Sequence, residues 1–274
     1  MRTWGREYEL AITFDGRRIV ITNPFKIAFV CDESTESEGN EMTVSVWGLS
    51  RQNRISLTRD EDTKGHVGVE LKVGYRGNVP LLFKGSLTKG SFERTGADFI
   101  TTLKCVDGGD DIQYAYTSAC VTSKEGAIST CMGDFKTVGA GAVTSQQQLV
   151  RPKVLVGNSS ILMRDMIDKD QEFFITNEQA FILGKNEARK GYAQVVSAET
   201  GLINIPQSSK NEIEFDTMMN PMIELGGLVS LISEQNPTLN GLYKIITIGT
   251  NGESHGDSWY QHCKAVRAEG FKLL

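Results

Sequence analysis

Residues 22–50 constrain this chain more than any other stretch. Phe25, Ile27 and Phe29 alternate with Lys26, Ala28 and Val30, and after an acidic, glycine-containing break at residues 32–41, Val44 and Val46 alternate with Thr43, Ser45 and Trp47 before Gly48-Leu49-Ser50. A period of two is the pattern of paired β-strands with one face buried. Pro24 fixes φ just ahead of the first strand, where a missing N–H does little harm. The stretch predicts one long hairpin whose polar tip stands away from the body.

The same period recurs on both sides. Tyr8, Leu10, Ile12 and Phe14 alternate with polar or small residues, Asp15-Gly16 supplies a tight turn, and residues 17–21 return as a second strand. Residues 50–58 predict a short helical turn. Val67, Val69, Leu71 and Val73 mark another strand, residues 81–87 the next with Gly85 as a bulge or bend, and residues 99–105 a further one. Short strands at this spacing, with no long helix among them, predict an antiparallel sandwich or small barrel.

At Asp107-Gly108-Gly109-Asp110-Asp111 the texture changes. Residues 114–121 read as a strand, 127–135 as a short helix, and 133–148, rich in Gly, Ala, Ser, Thr and Gln, as a loop or mobile arm. A strand at 153–156 precedes Asn158-Ser159, an N-cap for a helix with Leu162, Met163, Met166 and Ile167 on one face. Residues 172–175 and 179–183 flank Thr176-Asn177-Glu178 as a small hairpin. From 193 the chain is β again, with strands at 194–198, 212–216, 228–232, 241–248 and 259–266. Pro221 would end any helix begun at Thr217, and Asn236-Pro237 and Asn251-Gly252 supply the turns. The expected architecture is mainly β, α+β overall. It comprises two antiparallel β-barrel domains, 1–107 and 193–274, around a small α+β insert, 108–192, with the second barrel able to borrow a strand from 112–122.

Composition limits the function classes. With 274 residues, 39% apolar and 23% charged, the chain has material for one large or two modest cores. No apolar run approaches the ~20 residues of a membrane span, and the first ten residues lack the apolar centre of a signal peptide, so neither membrane insertion nor export is expected. A net charge of -5 argues against broad, non-specific nucleic-acid binding and leaves room only for a small local basic patch. Cys31, Cys105, Cys120, Cys131 and Cys263 are odd in number and widely spaced, which predicts reduced, mostly buried thiols.

The candidate chemical constellations are weak. Asp60-Glu61-Asp62-Thr63-Lys64-Gly65 opens like a calcium loop, but Lys64 stands at the fifth position and Leu71, one place after Glu70, at the last; it reads as a solvated loop. Asp107-Gly108-Gly109-Asp110-Asp111 could hold a cation, but reads first as an interdomain turn. His255, His262 and Cys263 lack zinc spacing, and His66, standing alone, suits a surface or edge better than a general base. Gly139-Ala140-Gly141-Ala142 has neither the third glycine of a dinucleotide loop nor the lysine of a phosphate loop. No GxSxG elbow occurs. Asn158-Ser159-Ser160 is a glycosylation acceptor only on a secretory route, and Met218, Met219 and Met222 read as core filler. No catalytic, cofactor-binding or metal-binding residue is assigned, and no enzymatic activity or cofactor is expected.

Taken in order, several short motifs carry a resemblance. Asn23-Pro24-Phe25-Lys26-Ile27-Ala28-Phe29, the strand ending Trp47-Gly48-Leu49-Ser50, Gly74-Tyr75 followed by Leu82-Phe83-Lys84-Gly85, and Cys105-Val106-Asp107-Gly108 resemble the first domain of central baseplate hub proteins of contractile-tailed bacteriophages. Thr200-Gly201-Leu202 with Pro206, Asn220-Pro221, Leu225-Gly226-Gly227-Leu228-Val229, Asn240-Gly241-Leu242-Tyr243-Lys244-Ile245 and Trp259 are similar to its second tube domain. Residues 112–192 match in element order more than in letters.

The resemblance implies a structural virion protein with two tail-tube-type barrels per chain. Three chains would form a homotrimeric, pseudo-six-fold hub in the tail baseplate, assembled in the bacterial cytoplasm. Its implied partners are the spike protein below, the tail tube or a tube-initiator protein above and other baseplate proteins, with DNA passing through the lumen without specific binding and no membrane contact. Residues 69–73 with Phe83-Lys84-Gly85 are loosely echoed by residues 228–232 with Tyr243-Lys244-Ile245. Two alternatives stand beside this reading. One is a related adaptor ring, such as a distal tail protein or the base of a secretion-system spike. The other is a β-rich glycan-active enzyme, which would need a pair of carboxylates in one cleft.

Overall fold

The structure is a computed structural model that describes residues 5–37, 39–60, 65–144, 151–209 and 212–274. Strands β1 (Arg6–Phe14) and β2 (Arg17–Thr22) form the first hairpin. Its turn residues Asp15 and Gly16 have φ of 47° and 71°, the left-handed pair that matches the twist of the flanking strands. Strands β3 (Ile27–Ser34) and β4 (Glu41–Trp47) form the long hairpin, with Ile27, Phe29 and Cys31 buried against Val46, Val44 and Met42 across the ladder. Helix α1 (Arg51–Ser56) starts where the Ser50 side chain accepts a hydrogen bond from Asn53 N–H. Then β5 (Gly68–Tyr75), β6 (Leu81–Thr95) and β7 (Asp98–Val106) run as a meander.

The middle of the chain holds α2 (Gly109–Tyr114), β8 (Tyr116–Val121), α3 (Lys124–Gly133), β9 (Gly139–Val143), β10 (Lys153–Asn158) and α4 (Ser159–Met166). The hairpin of β11 (Gln171–Thr176) and β12 (Gln179–Gly184) and the short β13 (Glu187–Ala188) complete it. Asn158 caps α4 through its side chain, and Met163 and Met166 are buried on its inner face. The last third carries β14 (Gln194–Val196), β15 (Gln207–Ser209), β16 (Glu212–Met218), β17 (Leu228–Leu231), β18 (Gly241–Glu253), β19 (Trp259–Arg267) and β20 (Lys272–Leu273).

The first and last thirds share a single 13-stranded sheet. Its order is β15-β16-β19-β18-β3-β4-β7-β6-β5-β1-β2, with β17 and β14 branching from β18. The join is antiparallel pairing of residues 28–34 of β3 with residues 247–253 of β18. Within the sheet one topology occurs twice. A hairpin (β3-β4 or β15-β16) is followed by a three-strand meander (β5-β6-β7 or β17-β18-β19) whose last strand pairs with the second strand of the hairpin.

Three buried apolar clusters lie beneath these elements. One is built on β1 and β3–β7 and takes in Met219 and Trp259. The second is built on β16–β19 and takes in Phe174, Phe181 and Leu183 of the β11–β12 hairpin. The third fills the middle region around Cys131, Leu155, Met163 and Ile182.

Five expectations are corrected. The tip of the long hairpin does not stand away from the body. Thr35 and Asn40 are 2% and 1% exposed, and Thr35 N–H donates to Ile246 O at 3.0 Å, because the tip is held between β18 and the middle region. Gly85 marks no bulge: the ladders shift at Leu71/Lys72 and at Leu87/Lys89. Glycine is there because a Cβ would lie 2.6 Å from Val106 O and 2.8 Å from Asp107 Cα. Asn251 and Gly252 continue β18, where Phe29 packs over the glycine, and the chain reverses beyond Glu253. Residues 139–143 are a strand parallel to β12, not a loose arm, while 145–148 lie outside the described residues. Finally, β8 pairs with β10 and is not lent to the last third.

Gly85→Ala is expected to lower the unfolding free energy by about 1–3 kcal/mol, the usual cost of forcing an extra carbon into a packed site. Urea unfolding of the purified chain measures it. A stability equal to that of the parent would show that the β6–β7 approach can open without cost.

Candidate functional site

The strongest concentration of buried polar groups lies where the tip of the β3–β4 hairpin, the end of β7 and the β11–β12 hairpin meet. Asn40 bridges all three. Its Oδ1 accepts from Ser34 N–H at 3.2 Å, its Nδ2 donates to Ile175 O at 3.0 Å, and its own carbonyl accepts from Asp107 N–H at 2.9 Å. The Asp107 carboxylate in turn accepts from the backbone N–H groups of Asn177 and, at 2.8 Å, Glu178. Those two residues form the β11–β12 turn, with φ of 53° and 57°. Burial pushes the Asp107 carboxyl up to about 7, against the two backbone donors and the nearby Lys84, which favour the ionised form.

Charged pairs extend this seam to either side of the β11–β12 hairpin. Lys84 of β6 meets Glu178 at 2.8 Å, and this hydrogen bond raises the lysine's pKa. Lys244 of β18, 1% exposed, meets Glu172 at 3.0 Å. Arg189 lies 4.2 Å from the centre of the Phe181 ring, meets Glu224 at 3.3 Å and donates to Leu225 O at 3.2 Å. The hairpin is thus fastened to β6 on one side and to the last third on the other. A cleft of about 870 Å³ opens beside Lys244 and Glu172; its lining also includes Lys185, Glu212, Lys264 and Arg267.

Glu33 is the seam's weakly paired carboxyl, accepting only a long thiol hydrogen bond from Cys31. It is 7% exposed, and its Oε1 lies 3.9 Å from Cys31 Sγ. Burial, followed by the Asp107 charge, pushes its pKa up to about 8.

The carboxylates singled out in the sequence face protein donors. Asp111 accepts from the N–H groups of Lys136, Thr137 and Val138 at 2.7–2.8 Å, and Asp110 meets His66 Nδ1 at 2.6 Å. His66 is therefore paired, not alone. His262 Nδ1 lies 2.7 Å from Asp216 Oδ1, His255 Nδ1 lies 2.8 Å from Ser254 Oγ, and Cys263 is buried. The cysteines are free and only Cys120 is exposed. Met219 fills the first cluster with Met218 packed against it, but Met222 is 46% exposed and is not filler. Asn158 caps α4. The 61–64 part of the calcium-like loop lies outside the described residues. Among the described residues no group of three His, Cys, Asp or Glu side chains could hold a metal ion, and no helix is long and apolar enough to cross a membrane.

Sequence reasoning named the turn at Asp107 but missed Asn40 and Glu33 as its partners. The available signal was the break in alternation, with Glu33 falling on the inward side of β3 in phase with Ile27, Phe29 and Cys31.

Two features of the surface remain open. The sheet path ends at β15, whose Gln207, Ser208 and Ser209 are exposed, and residues 91–95 of β6 are exposed beyond the point where β5 stops pairing. A sequence profile of the baseplate hub gp41 family matches residues 8–265. The chain belongs to that family. This baseplate hub chain is a structural component of the phage tail.

Solved structures agree in fold at very low identity. The tail protein from Neisseria meningitidis MC58 superposes with a TM-score of 0.65 at 8% identity, over 96% of this chain and 97% of that one. The 43 kDa tail protein of prophage MuSo2 from Shewanella oneidensis gives 0.61 at 9%, over 97% and 99%. An E. coli type VI secretion component, described as structurally similar to the T4 tail proteins gp27 and gp5, gives 0.63 at 8%, over 93% and 76%. No match was found among curated protein sequences.

Because Glu33 titrates near ~4.3 when unfolded and about 8 when folded, the folded hub chain holds a proton that the unfolded chain releases. Its contribution to stability is full below ~4, declines as the pH rises, and is lost above about 8. Glu33→Gln, permanently neutral, should flatten the fall in unfolding free energy between pH 5 and 8 relative to the parent. Parallel urea-denaturation profiles for the two proteins would contradict this assignment.

Proposed function

We propose that this baseplate hub chain acts as a homotrimer, three chains forming a pseudo-six-fold ring between the six-fold tail tube and the three-fold spike. The observation that carries the reading is the repeated topology, β3-β4-β5-β6-β7 and β15-β16-β17-β18-β19, within one chain. A chain that presents the same strand arrangement twice can place six similar units in a ring of three copies, matching a six-fold partner on one face and a three-fold one on the other.

On this reading residues 1–107 and 193–274 are the two tube-like units and 108–192 lies between them. The tube or a tube-initiator protein docks above, the spike below, and other baseplate proteins outside, with assembly in the host cytoplasm. DNA passes through the lumen without specific contacts, consistent with the net charge of -5. A lumen ringed by Lys and Arg in the assembled hub would contradict that passage. The role is mechanical, without catalysis: the carboxylates Asp107, Asp110 and Asp111 are all engaged by protein donors or His66. The fold shared with the E. coli secretion component favours, as second reading, the base of a secretion spike.

Light scattering after size exclusion, over a concentration series, should give a mass of three 30.2 kDa chains. A six-chain ring would favour the adaptor-ring reading, and a monomer that ignores both spike and tube protein would overturn the trimeric role.

A further inference from the structure

The two five-strand units are in register, and the bulges show it. Opposite β7, β6 skips Thr88 between the pairs Leu87↔Cys105 and Lys89↔Lys104. Opposite β19, β18 skips Ile246 between Ile245↔Ala265 and Thr247↔Lys264. Setting bulge on bulge places Ser86 on Lys244, and the other side of each strand agrees, with Gly68 opposite Ser86 and Leu228 opposite Lys244. The hairpins agree as well. Cys105 pairs with Met42, which pairs with Cys31; Ala265 pairs with Ile213, which pairs with Ser208. Cys31 and Ser208 therefore hold one position of the repeat, and Thr250 and Phe92 hold another. This ladder-based alignment differs by two residues from the echo of Lys84 by Lys244 visible in the letters.

In the first unit, the edge strand β3 is paired: it adds to the far end of β18, with Cys31 opposite Thr250. The counterpart edge strand, β15, ends the sheet, and the counterpart acceptor, residues 91–95 of β6, pairs among the described residues with β7 alone. On that open side Gly90 exchanges N–H···O bonds of 2.9 and 3.0 Å with Arg59. By strand alternation Phe92 and Arg94 turn their backbone polar groups the same way. Phe92 is 41% exposed and Ile205, just before β15, is 53% exposed. One chain thus carries one filled joint and both halves of a second, empty one.

We infer that β15 of one chain adds, antiparallel, to the open side of β6 of a second copy, reproducing the β3–β18 joint between chains. The register places Ser208 opposite Phe92, Gln207 opposite Glu93, Ser209 opposite Ser91 and Ile205 opposite Thr95 of the neighbour. The joint satisfies backbone groups on both edges and covers Phe92 and Ile205. Because each chain offers one donor and one acceptor edge, the contact is head-to-tail and closes when the last chain meets the first. The inference rests on the trimeric reading above and names its contact.

The test is a cysteine pair. Glu93→Cys with Gln207→Cys, both at exposed positions, is made in a Cys120→Ser background so that no other thiol is exposed. Directly opposite residues of antiparallel strands have Cα atoms about 4.5–5.5 Å apart, within disulfide reach. Mild oxidation should convert most of the double variant into a covalent three-chain species on a non-reducing gel, and neither single variant should do so. Light scattering on the unoxidised protein reports assembly independently. A three-chain mass with no cross-link would overturn this joint and leave the trimeric hub standing. Absence of a three-chain mass at every concentration, with the chain alone and with spike and tube protein added, would overturn both.

Discussion

The pairing of β3 with the outer half of β18 is the constraint on which the rest of the structure depends. It turns what could have been separate sheets into one, and fixes the direction in which the long hairpin must point. Since Ser34 lies opposite Thr247 and Thr35 bonds Ile246, the hairpin tip ends inside the molecule, where its polar residues need partners. Asn40, Asp107 and the β11–β12 turn partner one another there, while the buried Thr35 hydroxyl is left without a hydrogen bond, so the tip, the end of β7 and the middle of the chain are locked by the same few hydrogen bonds. Glu33 is the residue this geometry leaves with a buried carboxyl and no strong donor, which explains its raised pKa.

Ion pairs around the seam fix arrangement more than they add stability. Lys84–Glu178 joins a half-exposed lysine to a buried glutamate, while Lys264–Glu214 lies at the surface, where water and salt screen it. Lys244–Glu172 is different, because Lys244 is almost fully buried and loss of Glu172 would leave its charge without a carboxylate, at a cost of about 3–5 kcal/mol. The apolar clusters carry the folding free energy. The seam determines how the β11–β12 hairpin sits between β6 and β18, and so ties the middle of the chain to both repeated units.

Local structure was legible in the sequence wherever one residue type decides it. Asp15-Gly16 marked its turn, Ser50 and Asn158 their helix starts, and the alternation at 8–14, 25–30, 43–47 and 67–73 the cores of four strands. The family was legible as well, from short motifs in order. What could not be read were contacts between residues far apart in the chain. The inward course of the 35–40 tip depends on a strand two hundred residues later. The 139–143 segment looks like a linker because small residues are what a strand crowded by Phe181 requires: a Cβ on Gly141 would lie 2.7 Å from its ring. Asn251-Gly252 has the letters of a turn, but the glycine is there to let Phe29 lie across β18. The repeat was visible only two residues out of register, since a bulge in each long strand, not a shared word, aligns the halves.

A three-fold averaged electron cryomicroscopy map of the assembled hub tests the account most directly. Rotating the map by one sixth of a turn should carry β3–β7 of each chain onto β15–β19 of its neighbour, with continuous density from β15 into the open side of β6. A ring in which the two units of a chain lie at different radii or heights, or in which β15 stays at a free edge, would contradict it.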